Sequence, residues 1–126
     1  MIVLDAGALV ALERENRELW ADLRIAASAA VPVTVPAGAL SLVWRGSPRQ
    51  ARLAMALRGC EIASFDIVAR SAGELCGRAR TSDIVDASVA LTASNRSATH
   101  LYTSDPDDLR HLLMTLGERR VRVIRC

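Results

Sequence analysis

The chain has 126 residues, 51% of them hydrophobic, with only seven Gly and four Pro and a formal charge of +2. That length suits a single domain, residues 1–126, with a real core, and the composition excludes a disordered chain. Three cysteines (Cys60, Cys76 and Cys126) give an odd number without a CxxC pair, which argues against a disulfide framework or a zinc site.

All sixteen basic residues are Arg, so mechanisms that need a lysine, such as a Walker P-loop or a Schiff base, are excluded. The all-arginine count reads as a compositional bias. No apolar run approaches the roughly 18 residues of a membrane span. The N-terminal apolar run lacks a basic segment before it and is cut by Asp5. No signal peptide is therefore expected, and the cytoplasm is the expected compartment.

In chain order, Met1 to Leu4 reads as a buried strand that ends in Asp5, followed by a short apolar helix through Ala8–Leu12. A second helix covers about Arg17 to Ala29, with Leu19, Trp20, Leu23 and Ala27 on one face. Val31–Val35 is a strand whose Pro32 argues against a fully paired central position. Pro36 opens a helix that runs to Trp44-Arg45 and stops at Gly46. Ser47-Pro48 starts another helix, which runs to Leu57. Glu61–Phe65 is a strand, and Asp66 caps a helix from Ile67 to about Arg78 with Val68, Ala72 and Leu75 inward. A strongly apolar helix covers Asp83–Ala93, His100–Thr103 is a strand, Asp105-Pro106 opens a helix to about Thr115, and Val121–Ile124 closes the sheet. Strands alternating with helical crossovers predict a three-layer α/β/α fold with a mainly parallel sheet of roughly five strands.

Three carboxylates stand out: Asp5, Asp86 and Asp105, with Asp83 and Asp108 one helical turn from the second and third. Each has a plainer reading as a helix cap or as an acid that complements a helix dipole. Two of them, however, directly follow strands, and parallel strand ends face one edge of a sheet. Several acids converging there without a Lys or His repel one another unless a cation neutralises them. Such oxygen donors suit Mg²⁺ or Mn²⁺ and metal-assisted phosphodiester hydrolysis.

At these residues the chain resembles the PIN domain, and within it the VapC-type toxin ribonucleases of bacterial toxin–antitoxin pairs. The resemblance spans nearly the whole length. It rests on Ile2-Val3-Leu4-Asp5-Ala6, on Val35-Pro36-Ala37 with Val43-Trp44-Arg45-Gly46, on Ser82 to Ala87, and on Thr103 to Leu109. It implies a metal-dependent endoribonuclease toxin with Mg²⁺ or Mn²⁺ held by Asp5, Asp86 and Asp105. By the same resemblance, Thr103 and Ser104 orient the last acid, and Asp83 and Asp108 act as supporting acids. The implied partners are RNA, a cognate antitoxin and a second copy in a homodimer. The chain departs from the family's pattern at Leu42, where a helix Glu is usual. No acid occurs between Asp22 and Glu61, so the site carries one charge fewer. That departure also allows a catalytically weakened module retained for binding RNA or antitoxin.

Arg45, Arg49 and Arg52 recur at helical spacing and offer a phosphate-tracking edge, although a solvated face is the plainer reading. Only four Phe, Tyr and Trp side chains are present, so platforms for base stacking are scarce. Trp44 beside Arg45 is the exception. Leu9, Val10 and Leu12, with the cluster from Leu40 to Trp44, are candidates for intermolecular contact. A nucleotide-binding Rossmann enzyme is disfavoured because no GxGxxG follows the first strand.

Overall fold

In the computed structural model, which describes residues 1–126, the first strand is the middle of the sheet. The five strands are β1 (Ile2–Leu4), β2 (Val33–Pro36), β3 (Glu61–Ala63), β4 (His100–Thr103) and β5 (Arg122–Arg125). They pair in the order β3-β2-β1-β4-β5, and every pair is parallel. The seven helices are α1 (Ala6–Glu13), α2 (Arg17–Ser28), α3 (Ala37–Val43), α4 (Ala51–Leu57), α5 (Ala69–Ala79), α6 (Ile84–Asn95) and α7 (Pro106–Leu116). The expected three-layer α/β/α architecture is what forms.

Alternation along the strands divides the core in two. Val3 and Leu101 point to one side, where they join Ala72 and Leu75 of α5, Val89 of α6 and Leu109 of α7. Ile2, Leu4, Val33, Val35 and Tyr102 point to the other and meet Leu9 and Leu12 of α1, Leu19 of α2 and Leu53 of α4. Covering both faces is what lets a parallel sheet of such short strands persist. Each fully buried Leu contributes about 1.5–3 kcal/mol to that end. The Tyr102 hydroxyl donates to Asp22 Oδ2 at 2.8 Å, pinning α2 to β4. Burial and that bond raise the Tyr102 pKa to about 12.

Several expectations are corrected. β2 is an interior strand paired on both sides: Pro32 stands just before Val33 and has no N–H to give, but its carbonyl accepts the Ile2 amide at 2.9 Å. Ala26, not Ala27, completes the inward face of α2. Asp66 does not cap α5; it begins a 3-10 turn, Asp66–Val68, and its carboxylate accepts the Ser64 hydroxyl. Ser47 caps a 3-10 turn, Pro48–Gln50, that leads into α4. Leu9 and Leu12 are fully buried and belong to the core, so they offer nothing to a partner. Leu42 and Trp44 are exposed at 54% and 41%. α3 stops at Val43 because buried Gln50 takes over its end: Gln50 Nε2 donates to the Val43 carbonyl, and Gln50 Oε1 accepts from the Arg45 amide, both at 2.8 Å. No helix is long and apolar enough to cross a membrane.

Candidate functional site

The strand order reverses between β1 and β4: β2 and β3 lie to one side of β1, β4 and β5 to the other. In open parallel sheets, the crevice outside the carboxyl ends at such a switch point is where ligands bind. The residues that follow these two strands are Asp5 and the Ser104-Asp105 pair.

Asp5 is only 5% exposed. It accepts hydrogen bonds from its neighbour's amide at Ala6 and, at 2.7 Å, from the Thr103 hydroxyl. The same Thr103 oxygen accepts the Asp105 amide at 2.9 Å. One hydroxyl thus ties the end of β1 to the turn after β4 and fixes two acids relative to each other. Gly7 permits the approach. A Cβ there would lie 2.6 Å from Ser104 Cβ and 2.7 Å from the Ser104 amide nitrogen, closer than real atoms come. The expected role of Thr103 is therefore visible as a bridge, while Ser104 packs against Gly7. Nothing in the residue pattern of the first helix marked Gly7.

Asp83 is a true cap: its Oδ1 accepts the Asp86 amide at 3.0 Å at the start of α6. Asp105 stands at the cap position of α7 but makes no side-chain capping bond, so capping does not account for its carboxylate. The five acids sense one another. Burial pushes the Asp5 carboxyl above its ordinary value; the Thr103 and Ala6 bonds oppose that, and Asp83 and Asp105 add to it. Asp86 is raised to about 7, first by burial, then by the charges of Asp5 and Asp83 and, further off, Asp108. Asp108 is raised by its hydrogen bond with Asp105 and by that residue's charge. None of these five forms an ion pair with an arginine.

Asp5, Asp83, Asp86, Asp105 and Asp108 thus lie near enough for their charges to act on one another in pairs. An all-oxygen set without a cationic partner fits a hard divalent cation in chemistry. In geometry the fit is incomplete, since no three of the side chains stand close enough together to hold one ion. Leu42, at the position of the missing Glu, lines a separate groove with Val10, Glu13, Arg14, Arg45 and Arg49. Of the arginines expected to track phosphate, Arg45 folds back to donate to the Leu42 and Trp44 carbonyls at 3.1 and 2.9 Å, and Arg52 pairs with Glu15 at 2.6 Å. His111 meets the Ala79 carbonyl at 2.9 Å, remote from the acids in its bonding. Compared with models of protein families and with curated proteins, the chain matches none.

Proposed function

We propose that the chain is a PIN-like, Mg²⁺- or Mn²⁺-dependent endoribonuclease of the VapC toxin kind, acting in the cytoplasm and held in check by an antitoxin. The observation that carries this reading is the buried Asp5 carboxylate at the sheet's switch point, which interacts with the charges of Asp83, Asp86 and Asp105 while none of them pairs with an arginine. A buried charge without a partner is costly, and a divalent ion would relieve it.

Asp5, Asp86 and Asp105 are the residues to hold the ion, with Asp83 and Asp108 behind them. When bound, such an ion neutralises charge on the phosphodiester and lowers the pKa of water. Thr103 keeps Asp5 and the Asp105 turn in register, and Gly7 lets the two strand ends approach. The toxin role, the antitoxin and a homodimer come from the sequence resemblance alone.

A second reading, a weakened module that binds RNA or antitoxin without cutting, is favoured by two observations: Leu42 in place of the Glu, and the absence of three acids converging on one point. Purified protein incubated with total RNA and Mn²⁺, beside Asp5→Asn, separates the two. Metal-dependent cleavage absent from the variant supports the nuclease. No cleavage by folded, antitoxin-free protein in either metal supports the binding module.

A further inference from the structure

α2 carries two different polar faces. Arg17, Trp20 and Arg24 recur at three- and four-residue spacing and share one side of the helix. Glu18 and Asp22 lie on another, where Asp22 is held by Tyr102. The first side forms a groove of about 670 Å³ with Arg14 and Glu15 beyond the end of α1, and with Arg52 and Met55 of α4. Four arginines therefore share it with one carboxylate, and that carboxylate is already engaged by Arg52. Arg14, Arg17 and Arg24 are exposed and form no ion pair.

Charge alone fits a solvated face. Two further observations point to a ligand. A mainly apolar cleft of about 220 Å³ adjoins the groove, shares Trp20, Arg24 and Met55 with it, and is walled by Leu23, Ala27 and Val31. The indole between the two is held in place, its Nε1 donating to the Leu12 carbonyl at 3.1 Å. Guanidinium forks that match phosphate, beside a fixed aromatic ring and an apolar cleft, suit a nucleotide unit: phosphate on one side, base on the other.

We propose that this groove binds the backbone of single-stranded RNA through Arg14, Arg17 and Arg24, with a base resting against Trp20. Arg14 also borders a hollow that contains Gly7 and Ser104, the chain neighbours of Asp5-Ala6 and Asp105. Asp5 and Arg14 bracket α1, nine residue steps or roughly 13 Å apart along its axis. The choice of RNA over an acidic peptide rests on the nuclease reading; the charge and the cleft do not.

The test measures binding apart from cleavage. Full-length protein in EDTA is titrated with a fluorescein-labelled single-stranded 12-nucleotide RNA, and Trp20 emission is followed in a Trp44→Phe background. The expected result is quenched Trp20 emission and binding at least tenfold weaker for Arg17→Gln/Arg24→Gln. The variant's salt dependence should be shallower by about 1.4 in the log–log slope, for two lost phosphate contacts on a single strand. Both arginines are exposed, so the variant's melting temperature should match the parent's. The proposal is overturned if the parent does not bind the RNA, if the variant binds it equally well, or if an Asp/Glu-rich peptide of equal length binds as tightly. Arginine-dependent binding without metal-dependent cleavage leaves the groove standing and the nuclease reading refuted. Full cleavage by the arginine variant at limiting RNA concentration gives the reverse.

Discussion

At the scale of single residues, the site's chemistry is that of carboxylates held against their own repulsion. Asp86 shows it most clearly. Its folded pKa of about 7 lies above the ordinary value of 3.8, so between those two pH values the folded chain holds a proton that the unfolded chain has released. Folding is favoured at the acidic end of that window, and the advantage is lost as the pH rises through 7. In EDTA, the melting temperature should therefore fall between pH 5 and pH 8. Asp86→Asn should flatten that trend and melt higher than the parent at pH 8. A calorimetric melt of both proteins at the two pH values checks this. Asp5→Asn should abolish metal-dependent RNA cleavage, with a loss of at least a hundredfold in initial rate, since it removes the charge of the acid at the centre of the site.

At the scale of elements, the site depends on how closely β1–α1 and β4–α7 approach. Gly7→Ala places a methyl group against Ser104 backbone and side chain. It should destabilise the fold by about 1–3 kcal/mol, the usual range for overpacking, and lower cleavage along with it. Thr103→Val keeps the shape but removes the hydroxyl that bonds both Asp5 and the Asp105 amide. The cost should again be on the order of 1–3 kcal/mol, because a buried carboxylate loses a donor. Urea unfolding of the two variants beside the parent measures both costs. A neutral result for Thr103→Val would remove the bridge from the account of the site. Arg45 illustrates the opposite outcome for an arginine: its guanidinium bonds to the Leu42 and Trp44 carbonyls at the end of the preceding helix, α3, which complements the dipole there.

At the scale of the whole molecule, five of the fourteen acids, Asp5, Asp83, Asp86, Asp105 and Asp108, act on one another within a chain of net charge +2. A cation that binds only the folded chain stabilises it by mass action. Mn²⁺ at ten times its dissociation constant should contribute about 1.4 kcal/mol, or roughly 5 °C in melting temperature for a domain of this size. EDTA should reverse the shift, and Asp5→Asn should abolish it. A melt that does not respond to millimolar Mn²⁺ or Mg²⁺ would argue against the metal.

The sequence by itself determined the layers and the parallel sheet. Those depend on local patterns: the short apolar run Ile2–Leu4, helical spacing in α5, and the apolar stretch of α6. What only the tertiary structure decided depends on contacts between distant segments. Pro32 lacks an N–H but joins β1 through its carbonyl, which accepts the Ile2 amide, and β2 sits inside the sheet and not at its edge. Leu9 and Leu12 are core because α2 and α4 cover them, although their own helix is apolar enough to invite a partner. Helical spacing placed Trp20 on the inward face of α2, yet in the structure it lines a groove with Arg17 and Arg24. Only the packing of α4 against α1 brings Arg52 and Met55 opposite them and makes a groove. Thr103 and Asp5 are far apart in the chain, and Gly7 looks like any small helix residue until Ser104 stands against it. Periodicity reports which side of an element is buried; it carries no information about which other element does the burying.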